Sequence, residues 1–113
     1  MTESNINIKV QLDSQKVPHH ISWSASETSV DTPQNAKAMF LAFWDGIEKT
    51  ALRIDLWTKE MTTDEMADFY YQLFVTLADT FDRATKRSDL SNEIKKFAVE
   101  FHKKYVAKEE IQR

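Results

Sequence analysis

Pro33-Gln34-Asn35-Ala36-Lys37-Ala38-Met39-Phe40-Leu41-Ala42-Phe43-Trp44-Asp45-Gly46 sets the topology expected for this 113-residue chain. Ala36, Met39, Phe40, Phe43 and Trp44 recur at i, i+3, i+4, i+7 and i+8, the spacing of an amphipathic helix. Asp31 or Thr32 can cap its start, and Pro33 suits a first helical position, where its missing N–H costs nothing. Gly46, the one glycine in the chain, falls where a left-handed residue would end the helix near Asp45. Ile47 would then make the apolar contact of that ending. The segment is therefore expected to be the first helix.

Upstream, Ile6, Ile8, Val10 and Leu12 alternate with Asn7, Lys9 and Gln11, the period of a strand with one buried face. Asp13-Ser14-Gln15-Lys16 is a turn cluster. Val17, Ile21, Trp23 and Ala25 then share one parity, which predicts a hairpin. Pro18 cannot donate to a ladder, so this second strand is expected at an edge. Ser26 to Thr32 is polar and reads as a loop.

Downstream, Leu52, Ile54 and Leu56 alternate with Arg53, Asp55 and Trp57, a third strand near residues 51 to 58. Thr62-Thr63-Asp64-Glu65 is a capping box with Met61 and Met66 at the staple positions. The helix it opens extends to about Lys86 along Met66, Phe69, Tyr70, Leu73, Leu77 and Phe81. Ser88 or Asp89 caps a last helix whose stripe is Leu90, Ile94, Phe97, Ala98, Phe101 and Tyr105. Lys108 to Arg113 reads as a frayed tail.

The order is β-β-α-β-α-α, and the expected fold is a two-layer α+β domain over residues 1–113, with an ordered core of about 5–107. A three-stranded sheet of order 2-1-3 carries three helices on one face. The first helix is its right-handed crossover between parallel strands. Asn7, Lys9, Gln11, Arg53, Asp55 and Trp57 would lie on the opposite face.

Apolar residues make up 42% of the chain and aromatics 12%, enough for a core. The net charge of −3 argues against nonspecific nucleic-acid binding, which needs a basic excess. With no cysteine, disulfides, thiolate metal sites and cysteine nucleophiles are excluded. Met1-Thr2-Glu3-Ser4-Asn5 lacks the basic and apolar regions of a signal peptide. No stretch approaches the roughly 20 apolar residues of a membrane span. The cytoplasm is the expected location, without membrane insertion.

No catalytic constellation is visible, and the chain is read as an interaction or accessory protein, not an enzyme. His19 and His20 are adjacent, so a strand sends them to opposite faces, where they cannot share an ion. His102 has no histidine partner one turn away. Asp64, Asp68, Asp79 and Asp82, with Glu65, fit capping and solvated faces better than paired acid–base work. Asp79, closest to the apolar zone, is the carboxylate of interest. A hydrolase or isomerase using Asp79 or His20 lacks a positioned partner. One glycine builds neither a phosphate loop nor a dinucleotide fingerprint. No metal and no cofactor are expected.

Arg53, Asp55 and Trp57 form the candidate partner-binding group, because exposed tryptophan beside arginine has the composition of binding hot spots. Packing of Trp57 under a loop or the chain tail is the bland alternative. The wide stripe of the second helix is that of a central helix, or a homodimer contact through Tyr71, Phe74 and Val75. A small-molecule module is the other functional class, with a pocket between the first helix and the sheet lined by Trp23, Phe40 and Trp44.

Leu52-Arg53-Ile54-Asp55-Leu56-Trp57-Thr58-Lys59-Glu60-Met61, followed by Asp64-Glu65-Met66, carries a family resemblance. So do Tyr71-Gln72, Ala78-Asp79-Thr80-Phe81-Asp82-Arg83-Ala84-Thr85, Lys16-Val17-Pro18, Ile21, Trp23 and Ala36-Lys37-Ala38. Together they resemble the gliding motility-associated GldC family of Bacteroidota, collinearly over most of the chain. The resemblance implies a small, cytoplasmic, non-enzymatic protein supporting gliding motility, in a machinery coupled to the type 9 secretion system. Its partner would be a protein component of that machinery. The resemblance brings no catalytic or ligand residues, so the Arg53, Asp55 and Trp57 assignment rests on composition alone.

Overall fold

The computed structural model describes residues 2–26 and 32–112. It is α+β, with five strands in two sheets and two helices among the described residues. The chain divides into two compact units, Met1–Met61 and Thr62–Arg113.

The first unit holds all five described strands. β1 (Ile6–Leu12) and β2 (Pro18–Ala25) form the expected antiparallel hairpin, with Ile8 opposite Trp23 and Val10 opposite Ile21. The Asp13 carboxylate builds its turn. Oδ1 accepts the amides of Gln15 and Val17 at 2.8 and 3.0 Å, and Lys16 takes the left-handed conformation. Ile21 is the strand residue most removed from water, 1% exposed. β3 (Gln34–Ala36) pairs on the other side of β2, so the order is β1-β2-β3. β2 is therefore central, not an edge. Pro18 is accommodated because it is the first residue of β2, and β3 reaches only Ile21 to Trp23.

The segment expected to be a helix is extended. After β3 and the single bend residue Lys37, β4 (Ala38–Asp45) pairs antiparallel along its whole length with β5 (Thr50–Trp57). Residues 38–44 are apolar without interruption. Such a run satisfies a helical period and a strand period alike, and its length of seven is a strand's. Pairing with β5 decides the matter. Thr32 and Pro33 thus precede a strand, and Asp31 lies outside the described residues. No parallel pair and no crossover exist among the described strands, so the single sheet of order 2-1-3 is replaced by two antiparallel sheets. Asn7, Lys9 and Gln11 belong to one, and Arg53, Asp55 and Trp57 to the other.

Gly46 ends no helix. It lies in the β4–β5 turn, where Asp45 Oδ1 accepts the amides of Ile47 and Glu48 at 2.9 and 3.2 Å. The left-handed residue there is Lys49, φ 54°. Ile47 makes no capping contact and stands exposed at the tip.

The second unit is a helical hairpin, so the described residues form two helices and not three. α1 (Thr63–Thr85) starts at the predicted capping box: the Glu65 amide donates to Thr62 Oγ1 at 3.1 Å and the Thr62 amide donates to Glu65 Oε1 at 3.2 Å. α1 ends at left-handed Lys86, and α2 (Ser88–Gln112) follows at once. Small side chains let the helices approach closely: Ala78 and Ala98 are fully buried, and Ser91 donates its hydroxyl to the Ala78 carbonyl at 2.8 Å. Phe74 meets Phe97 and Phe101 edge-on, ring centroids 5.4 Å apart in both pairs, the arrangement that ring quadrupoles favour. At the open end the Tyr105 hydroxyl donates to Asp64 at 2.7 Å.

Candidate functional site

Opposed residues of an antiparallel ladder point to the same side, and the side alternates along each strand. The β4–β5 register therefore sorts sixteen residues into two faces. Met39, Leu41 and Phe43 join Leu52, Ile54 and Leu56 on an apolar face. Phe40, Ala42 and Trp44 join Arg53, Asp55 and Trp57 on the other.

This second face is the candidate site. Trp44 is 69% exposed, Trp57 59% and Phe40 42%. Across the ladder Trp44 is opposite Ala51, Trp57 opposite Ala38, Arg53 opposite Ala42, and Phe40 opposite Asp55. Three of the large side chains thus face an alanine and stand clear of a cross-strand neighbour. Arg53 lies diagonally between Phe40 and Trp44, within reach for a long side chain. Among the described residues neither Arg53 nor Asp55 forms an ion pair or a side-chain hydrogen bond. They offer a cation and an anion two residues apart, flanked by indoles.

Arg53, Asp55 and Trp57 therefore share one exposed face, and β4 adds Phe40 and Trp44. The helical period had assigned these two to a core. The uninterrupted apolar run was the signal for a two-faced strand. The pocket expected between a first helix and the sheet does not exist, since that helix is β3 and β4. Trp23 belongs to the first sheet, whereas Phe40 and Trp44 belong to the second.

Tyr71, Phe74 and Val75 are half-buried on α1. Phe74 is the centre of the ring cluster with Phe97 and Phe101, and Tyr71 packs against the His102 ring at 5.2 Å.

The carboxylates are engaged locally. Asp79 pairs with Lys95 at 2.6 Å and holds that ammonium's pKa above its usual value. Asp68 lies 3.5 Å from His102, and Asp82 accepts the Ser88 hydroxyl at 2.8 Å. His19 and His20 border an open cleft of about 310 Å³, lined also by Asn35, Ala36, Lys37, Thr58 and Glu60. There His20 Nε2 lies 2.9 Å from Asn35 Oδ1. Among the described residues no three His, Asp or Glu side chains converge as metal ligands, and no helix is long and apolar enough to cross a membrane.

Neither the curated proteins nor the solved structures contain a match to the chain. Residues 18–107 match the family model described as gliding motility-associated protein GldC-like. That span runs from the start of β2 into the last turns of α2 and takes in the whole candidate face. The chain belongs to the GldC-like family of gliding motility-associated proteins.

Proposed function

We propose that this chain is a non-enzymatic cytoplasmic accessory protein of the gliding motility machinery, acting by binding another protein component through the Phe40, Trp44, Arg53, Asp55 and Trp57 face. Family membership supports the process. The mode of action is carried by one observation: three large aromatic side chains stand exposed around Arg53 and Asp55 on one face of a two-stranded sheet. Tryptophan and arginine dominate binding hot spots, since they bury much area and desolvate well. Contiguous exposed apolar surface of this kind marks contact sites on proteins. The net charge of −3 disfavours nucleic acid as the partner.

A crosslinking pull-down in the native host, with the wild-type chain beside Trp57→Ala, is the direct test. Recovery of a gliding-machinery protein by the wild type and its loss with the variant is expected. Equal recovery by both, with the same protein crosslinked elsewhere on the chain, would remove the assignment of this face.

A further inference from the structure

We infer that two copies of this chain pair through the outer edge of β5, in one register fixed by Arg53 and Asp55. The inference goes beyond the partner-binding face. It shares Arg53 and Asp55 with that face, adds the backbone edge of the strand, and leaves Phe40, Trp44 and Trp57 open.

The edge is read from one hydrogen bond. The Thr58 amide donates to the Lys37 carbonyl at 2.8 Å, on the β4 side. Alternation along an antiparallel ladder then turns the backbone groups of Leu56, Ile54, Leu52 and Thr50 toward β4. Those of Ala51, Arg53, Asp55 and Trp57 point away from it. Among the described residues no strand takes them up. Proteins guard such edges with charged side chains, above all lysine, with proline, with bulges or with short length. β5 has no lysine, proline or bulge and is eight residues long, and its two charges, Arg53 and Asp55, are of opposite sign, so a second copy can match them. In the other sheet, the outer edge β1 has Lys9 at its centre and a bulge at Gln11/Leu12, and the outer edge β3 is only three residues long. A two-stranded ribbon is also marginal by itself and gains stability from further strands with an apolar face. Met39, Leu41, Phe43, Leu52, Ile54 and Leu56 supply that face.

The occupant is specified by charge. An antiparallel second copy, related by a two-fold axis through Ile54, sets Arg53 opposite Asp55 of that copy and Asp55 opposite its Arg53. Leu52 then meets Leu56, Trp57 meets Ala51, and every side chain keeps its face. A slip of one residue would put apolar side chains on the polar face. A slip of two in one direction opposes Arg53 with Arg53, and in the other Asp55 with Asp55, which repel when directly opposite. One register alone matches faces and charges. The outward residues of β4, namely Ala38, Phe40, Ala42 and Trp44, carry no charge and fix no register.

Sedimentation or light scattering of the purified chain across micromolar to millimolar concentration tests this without any other protein, separating it from the partner-binding reading. A dimer is expected. Arg53→Glu and Asp55→Arg should each weaken it at least about tenfold, because each creates two like-charge pairs. Mixing these two variants should restore a one-to-one heterodimer, since both cross-strand pairs become opposite again. The doubly exchanged Arg53→Asp/Asp55→Arg chain should dimerise with itself, which also covers misfolding of either single variant. A monomer at every concentration, a dimer indifferent to both reversals, or no recovery in the mixture and the exchanged chain would overturn the inference.

Discussion

Lys59, two residues beyond the end of β5, brings its Nζ to 2.8 Å from Asp13 Oδ2 in the β1–β2 turn. The same carboxylate accepts the turn amides, so one side chain both shapes the first hairpin and ties it to the segment leaving the second. The Lys59 hydrogen bond, then the Val17 amide, lower the Asp13 pKa from 3.8 to about 2. A carboxyl pKa depressed by folding gives stability that is fully present above its unfolded value and lost as pH falls through the folded one. The first unit should therefore lose stability between about pH 4 and pH 2. In Lys59→Met the Asp13 pKa should rise toward the ordinary value, as a carboxyl titration by NMR would show. An unchanged Asp13 titration in that variant would refute the coupling.

The β4–β5 turn places its glycine and its left-handed residue at different positions. Lys49 has φ 54°, a conformation costing a non-glycine residue roughly 1–2 kcal/mol. Gly46 has no positive φ, and a Cβ added there meets nothing within 4 Å. Gly46→Ala should stabilise by about 0.4–1 kcal/mol through the unfolded chain. Lys49→Gly should be neutral to stabilising by up to about 1 kcal/mol, as relieved strain exceeds the added chain entropy. Denaturant unfolding of both variants checks this, and destabilisation by Gly46→Ala would contradict the turn geometry.

Ala78 and Ser91 mark the closest approach of α1 and α2. Ala78→Leu should destabilise the helical hairpin by about 1–3 kcal/mol through overpacking. Ser91→Ala should cost only about 0.5–1.5 kcal/mol, the worth of one hydrogen bond. Thermal melts followed by helical circular dichroism should rank Ala78→Leu as the worse, and the reverse order would mean that the seam tolerates bulk.

Thr62 closes the capping box, so Thr62→Ala should cost about 1 kcal/mol, whereas Thr62→Ser should be near neutral. Amide exchange in the first turn of α1 should speed up in the alanine variant alone. Equal exchange in all three proteins would show that the cap contributes nothing.

Trp44 and Trp57 are exposed, so alanine at either position should move the melting temperature little. If they anchor a partner, each should weaken its binding about thirtyfold or more, as hot spots do. Titration calorimetry with the captured partner measures this. A large loss of melting temperature with binding intact would make them core residues.

Local order was legible where neighbours in the chain settle the conformation. Thr62 and Glu65 satisfy each other's amides within one turn. Ile6 to Leu12 and Ile21 to Ala25 alternate strictly, with Asp13 able to fold the turn between them. The joint exposure of Arg53, Asp55 and Trp57 on one strand face follows from spacing by two. Residues 38–44 were different, because a segment apolar on every side presents a helical stripe and a strand face at once. Pairing with 50–57 chose between them, and with that choice the third helix, the parallel crossover and the order 2-1-3 disappeared. Tertiary structure alone set Phe40 and Trp44 beside Arg53. Cross-strand neighbours are fixed by register, and register comes from hydrogen bonds between segments that hydrophobic periodicity treats one at a time.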